Sequence, residues 1–246
     1  MQPPQVNFEQ IAQQHGWSDE ELRARRSICE IGRICYERSL ISAVDGNISV
    51  RLSDGSIVIT PAGGMKGFLQ MEQLARIDVE GNVIGAPVKQ STETGIHLVC
   101  YQERPDVKAV LHCHPPHAVA LSVAEIDMQT PIIPEMVVTI GGIPTAPFAT
   151  PGTSELGESI REIVRCSDTV VMRNHGSVTI GPNLLDAFKK LDMLEHTARI
   201  LWLAHTARGG LEPLPPEAVK KLLDTRAMLG LSNRNTLENR CGLPPR

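Results

Sequence analysis

The chain is poor in aromatic residues. Only 3% of its 246 residues are Phe, Trp or Tyr, and Tyr36 and Tyr101 are the two tyrosines. Without such rings a base-stacking platform is not expected. An excess of one charge is also missing. Lys plus Arg number 24 and Asp plus Glu 28, a formal net charge of −4, which argues against nucleic acid as a partner. No uncharged stretch is suited to a bilayer. The longest, residues 136–154, is broken by Gly141, Gly142, Pro144, Pro147, Pro151 and Gly152, so no membrane helix is expected. The opening residues MQPPQVNFEQ lack the basic and apolar regions of a secretory signal, and the six cysteines form no CxxC pair or regular framework. Both absences point to the cytoplasm and to free thiols. Repeats and low-complexity linkers are absent as well. A single domain over residues 1–246 is therefore expected, with a core from about 18 to 210 and a C-terminal helix and tail over 211–246.

Helix signals are present at five places. Ser18, with Glu21 three residues on, reads as a capping box opening a helix to about Leu40. Ser91 is expected to cap a helix through about Gln102, with Glu93 in its first turn. Thr153 and Glu155 open a third helix, to about Arg165. Asn183 opens a long fourth that stops at Gly209-Gly210, and Pro216 to Leu229 supports a short fifth. Between them lie strand signals: residues 47–52 and 56–60 around Asp54-Gly55, residues 76–79 and 82–84 around Glu80-Gly81, then 107–112, 145–148, 169–173 and 178–180. Hairpins interleaved with helices predict an α/β fold with a mixed, largely antiparallel sheet covered by helices, not a doubly wound parallel one. The tail, residues 232–246, reads as disordered or as a strap over a neighbouring subunit.

The most informative residues are three histidines. His112 and His114 end an apolar strand-like run, and a strand turns residues i and i+2 to the same face. Pro115 biases His114 toward an extended backbone. His175 ends a second apolar run and precedes Gly176. Three imidazoles with an open fourth position suit a catalytic zinc. Two strand ends that happen to carry histidine are the alternative. Cys113 alternates to the opposite face and reads as core. Small and hydroxyl residues recur at Asp45-Gly46-Asn47, at Thr60 to Gly64 and at Gln90 to Glu93. They suit either ordinary turns or a phosphate cradle, and none matches a P-loop or a dinucleotide fingerprint.

Taken together, GNISV, ITPAGG, STETGIHLVCYQERPDVKAVLHCH, PFATPGT and RNHG occur in an order that resembles the class II aldolase/adducin family, over roughly residues 22–209. The resemblance implies a three-layer α/β/α fold and a homotetramer with sites between subunits. It also implies a divalent metal, usually zinc with Mn2+ or Co2+ as substitutes, on His112, His114 and His175. Glu93 matches the glutamate that joins the metal and serves as acid/base. A phosphate cradle carries over onto Gly46, Asn47, Ala62, Gly63, Ser91 and Thr92. Ala62 stands where a hydroxyl residue is common.

The implied activity is retro-aldol cleavage of a ketose 1-phosphate to dihydroxyacetone phosphate and an aldehyde. The family's 4-epimerases and dehydratases are alternatives on the same metal site. Its non-enzymatic adducin branch lacks the histidines present here. The aldolases of the family use a tyrosine where this chain has Glu135, and a second tyrosine near the C-terminus. Glu135 is the candidate proton donor in their place. His97, one turn after Glu93, is expected to orient it directly, and His117 to begin a helix beside the site. His15, His196 and His205 read as surface or packing residues.

Overall fold

The structure is a computed structural model that describes residues 7–231 and 234–238. Its centre is one seven-stranded sheet. In chain order the strands are β1 (Asn47–Arg51), β2 (Ile57–Ile59), β3 (Ala75–Ile77), β4 (Ala109–Cys113), β5 (Thr145–Ala146), β6 (Thr169–Met172) and β7 (Gly176–Gly181). Across the sheet they lie in the order β3-β2-β1-β4-β7-β6-β5, with only β5 and β6 parallel. The mixed, largely antiparallel sheet expected from the hairpins is observed.

Among the described residues eight α-helices accompany it: α1 (Phe8–His15), α2 (Asp19–Glu37), α3 (Thr94–Glu103), α4 (Pro116–Val123), α5 (Pro134–Thr139), α6 (Ser154–Cys166), α7 (Leu184–Arg208) and α8 (Pro216–Met228). Strand alternation divides the core. Val110, Val178 and Ile180 face α3 and α6, where they pack with Ile96, Val99, Ile160 and Ile163. Ala109, Leu111 and Cys113 turn the other way, toward Ile28 and Ile31 of α2 and Leu191 of α7. The far half of α7 continues into a third cluster with α4, α5 and α8. Cys113 is core, as alternation requires. Among the described residues no helix is long and apolar enough to cross a membrane.

Several local expectations change. Ser18 does accept the Glu21 N–H, but the Glu21 carboxylate turns to Arg25 and Arg76 rather than back to the cap. A buried carboxylate gains more from two guanidiniums than from one amide. That helix stops at Glu37, short of Leu40. Residues 82–84 form a single bridge, Ile77 to Val83, instead of a strand. Cys166 is disulfide-bonded, which overturns the expectation of a free thiol there. Sequence spacing says nothing of cysteines paired by tertiary structure. Cys29, Cys35, Cys100 and Cys113 are free, and Cys241 lies outside the described residues.

The tail expectation also falls partly outside them. Its described part, residues 234–238, packs on its own chain: Thr236 donates to the Gly141 carbonyl at 3.0 Å and to Gln129 Oε1 at 2.9 Å. Buried Asn235 and Thr236 cap the α5 end of the molecule because those loop groups would otherwise lack partners.

Candidate metal centre

Local turns bring the histidines together. His112 lies on β4 and His114 just past its end. His175 sits in the tight turn between β6 and β7, where Asn174 adopts the left-handed conformation (φ 57°) that asparagine tolerates. Gly176 then has no room for a side chain. A Cβ there would lie 2.6 Å from the Cys113 carbonyl oxygen and 2.7 Å from His114 Cδ2. Gly46 is equally constrained, with φ of 69° and a Cβ position 2.7 Å from the His112 carbonyl oxygen.

The three rings form a near-equilateral triangle, with centroids 4.8, 4.9 and 5.0 Å apart. His112 Nδ1 donates to the Ser177 carbonyl at 2.9 Å, which leaves its Nε2 lone pair facing the cluster. His114 Nε2 lies 3.0 Å from it. The Glu93 carboxylate spans the triangle's edge, 3.3 Å from His112 Nε2 and 3.1 Å from His175 Nε2. Donors bound tetrahedrally about 2.0–2.1 Å from one zinc ion lie roughly 3.3 Å from one another. The donor set fits a divalent cation. Among the described residues, His175 Nδ1 is buried with no hydrogen-bond partner, while its Nε2 faces the cluster.

Electrostatics agree. Burial opposes ionisation of Glu93, but its contacts with the His112 and His175 rings outweigh it and hold the carboxyl well below its ordinary range. Burial, then the neighbouring His112 and His175, push His114 down to about 3. A neutral imidazole is the form that ligates a metal.

Glu93 is the residue before α3, not part of its first turn. Ser91 does not cap the helix with its side chain; its carbonyl accepts from the Thr94 N–H at 3.2 Å. Its Oγ instead accepts from Asn47 Nδ2 at 3.0 Å and from the Glu93 N–H at 3.2 Å. His97 does not touch Glu93 either. Its Nε2 meets Asn47 Oδ1, and Asn47 Nδ2 donates to Glu93 Oε2 at 2.9 Å. Asn47 can do this because it pairs directly with His112 in the β1–β4 ladder and shares its face.

Pro61 bridges Gln90, so the Ala62-Gly63 turn lies against the Ser91-Thr92 segment. The Ala62 amide is already given to the Lys89 carbonyl at 2.9 Å and is not free for an anion. Gly63 and Thr92 are exposed.

Glu135 makes no hydrogen bond or ion pair with the histidines among the described residues. It opens α5, is exposed, and its carboxylate has no partner among the described residues. His117 does begin a helix. Its Nδ1 donates to Glu195 Oε1 at 2.7 Å, and the same carboxylate takes the backbone N–H groups of His117 and Ala118, both at 3.1 Å.

Two groups escaped the sequence reading. Ser49 hydrogen-bonds His97, and Lys66 is a buried lysine whose ammonium donates to the Val44 carbonyl just before Gly46. Ser49 shares a strand face with Asn47, a signal that period-2 alternation carries. For Lys66 the sequence holds no such signal.

Residues 26–202 match the family model for the class II aldolase and adducin N-terminal domain. The chain belongs to the class II aldolase and adducin family. Among the family's curated proteins, it is 33% identical over 187 residues to 3-oxo-tetronate 4-phosphate decarboxylase of Pectobacterium atrosepticum, covering 74% of this chain and 85% of that protein. It is 31% identical to L-fuculose phosphate aldolase of Methanocaldococcus jannaschii, over 73% of this chain and 96% of that one. Among solved structures, YgbL from Klebsiella pneumoniae, described as an aldolase/epimerase/decarboxylase, superposes with a TM-score of 0.76 at 28% identity, over 83% of this chain and 100% of that chain. L-fuculose-1-phosphate aldolase from Thermus thermophilus superposes at 0.69 and 29% identity, over 78% and 99%. Class II aldolases use a divalent metal, and the three-histidine cluster is where this chain would hold one.

Proposed function

We propose that this chain is a metal-dependent lyase that cleaves a ketose 1-phosphate by a retro-aldol reaction into dihydroxyacetone phosphate and an aldehyde. The observation that carries the reading is Glu93: an ionised carboxylate, aimed at a three-histidine cluster and held there by an amide. Retro-aldol cleavage needs a base for the hydroxyl proton on the departing aldehyde side. Zinc, or Mn2+ or Co2+ in its place, held by His112, His114, His175 and Glu93, would supply Lewis acidity that neutralises charge on the substrate's oxygens.

The remaining roles belong to the chain itself. Ser91 Oγ already accepts two hydrogen bonds, so its own proton is left to donate to a phosphate oxygen. Gly46, Asn47, Ala62, Gly63 and Thr92 complete the proposed cradle. Ala62 contributes space rather than a donor, since its amide is engaged. Glu135 would give its proton from a neighbouring subunit of a homotetramer, and its exposed place at the start of α5 is compatible with that. The setting proposed is the cytoplasm, with a small sugar phosphate as the partner rather than nucleic acid or membrane.

Decarboxylation of a phosphorylated 3-oxo acid is the second reading. The similarity to 3-oxo-tetronate 4-phosphate decarboxylase favours it. So does the placement of the tyrosines: Tyr101 is buried in a hydrogen-bond chain and Tyr36 packs edge-on against Phe68. Loss of carbon dioxide needs no base for a hydroxyl proton.

Metal-loaded protein incubated with a panel of ketose 1-phosphates and phosphorylated 3-oxo acids separates the two. Dihydroxyacetone phosphate formed from a ketose 1-phosphate, together with an aldehyde and no carbon dioxide, supports the first reading. Release of carbon dioxide from a phosphorylated 3-oxo acid, which leaves a ketone phosphate one carbon shorter, selects the second, and an epimerised or dehydrated product overturns both.

A further inference from the structure

Four buried polar side chains and the partly buried Glu93 form one continuous chain under the metal centre. Tyr101 Oη lies 2.7 Å from Ser49 Oγ, and Ser49 Oγ lies 2.6 Å from His97 Nδ1. His97 Nε2 lies 2.5 Å from Asn47 Oδ1, and Asn47 Nδ2 lies 2.9 Å from Glu93 Oε2. The geometry is a lattice of two periods. Asn47 and Ser49 are i and i+2 on β1, while Glu93 at the N-terminal edge of α3 and His97 and Tyr101 within it follow at steps of four. Ser49, Asn47 and His97 are essentially inaccessible to solvent, so each polar atom must be satisfied within the chain.

Counting protons leaves one arrangement. The Asn47 amide nitrogen faces a carboxylate oxygen and a hydroxyl oxygen. Reversing the amide would set two acceptors 2.9 Å apart at Glu93, without a proton between them. Asn47 Oδ1 therefore faces His97 and must accept, so His97 Nε2 carries a hydrogen. Full burial keeps the imidazole neutral, so its Nδ1 is a bare acceptor. Ser49 then donates to Nδ1 and in turn accepts from Tyr101. Every donor in the series finds an acceptor.

We propose that His97 is a positioning residue: held as the Nε2–H tautomer, it locks the Asn47 amide with its N–H groups toward Glu93 and Ser91, and thereby aims the Glu93 carboxylate at the histidine cluster. The inference rests on reading His112, His114, His175 and Glu93 as a metal site. One residue would thus serve both the metal side and the cradle side, because Asn47 Nδ2 reaches both. Removal of a partner that orients a metal ligand weakens metal binding by 10–100-fold.

Two measurements test it. In metal-free protein, long-range 1H–15N spectra of the histidine rings should show His97 with a protonated Nε2 and a bare Nδ1, its signals assigned from their loss in His97→Gln. A protonated Nδ1 would overturn the proposal whatever the metal does. Competition against a chromophoric chelator then reads zinc affinity. His97→Phe should bind zinc 10–100-fold more weakly than wild type, and His97→Gln, whose amide can donate toward Asn47, should recover most of the loss. Equal losses in both variants would assign the effect to packing and overturn the proposal, as would an unchanged affinity in a folded His97→Phe. A wild-type protein that binds no zinc would instead sink the metal reading, leaving the tautomer result to stand by itself.

Discussion

Asn47 and Glu93 are 46 residues apart in sequence, and their side chains are joined by a 2.9 Å hydrogen bond that ends beside His112. The amide holds a carboxylate that would otherwise be free to rotate away from the cluster. The Glu93 carboxylate and the histidine cluster are thus organised by the pairing of β1 with β4.

Loss of a ligand should be visible before any assay of turnover. His112→Ala and His175→Ala should each purify with far less than one zinc per chain, measured by elemental analysis, and turnover should fall at least about 100-fold. Stoichiometric zinc together with normal turnover in His112→Ala would contradict the metal-centre assignment.

Glu93→Gln keeps the size of the side chain but removes its charge. It should retain measurable zinc, because three imidazoles remain, while kcat falls by about 10²–10⁴-fold, the usual worth of a positioned acid/base. A change confined to KM would show that Glu93 binds substrate without handling a proton.

Gly176→Ala tests the tight approach of the β6–β7 turn. The new methyl would meet the Cys113 carbonyl, His114 and His112 at 2.6–2.9 Å, with backbone among the obstacles. The turn must shift. Reduced zinc affinity and a loss of about 1–3 kcal/mol in chemical denaturation are expected. Wild-type values for both would show the turn to be pliable.

Acid stability of the metal-free protein should depend on His97. Burial first, then the nearby His112, push its pKa down to about 3, against an ordinary value of 6.5 in the unfolded chain. The unfolded state therefore binds the extra proton between those values. The stability from a neutral His97 is present in full above about pH 6.5 and is lost as pH falls toward 3. The slope is at most about 1.4 kcal/mol per pH unit for this group. Urea titrations from pH 7 to 5 should show a shallower decline in His97→Phe than in wild type. Parallel declines would mean that His97 already titrates normally.

Glu195 anchors the helix beside the site by taking two backbone N–H groups of α4 and the His117 ring. Glu195→Ala should cost about 1–2 kcal/mol, as loss of a helix N-cap does, with little change in zinc content. Thermal melts and metal analysis on the same sample would check both halves.

Legibility followed the range of the interaction. Asn183 capping α7, Gly209 ending it, and the strand carrying His112 are local signals set by backbone chemistry within a few residues, and they stand in the structure as read. Ser91 looked like a helix cap because hydroxyls usually are. Its oxygen was claimed instead by Asn47, across the sheet.

The order of motifs along the chain was enough to indicate the fold family and the histidines and glutamate that converge, since strand period and ligand chemistry are properties of short segments. Only the tertiary structure decided which hydrogen bonds those residues make. It set Asn47 opposite His112 and placed His97 behind Asn47, whose Nδ2 is the group that reaches Glu93. Those choices depend on which strands pair and which helix covers them. A buried polar atom takes whichever partner packing brings within about 3 Å, however distant that partner lies in sequence.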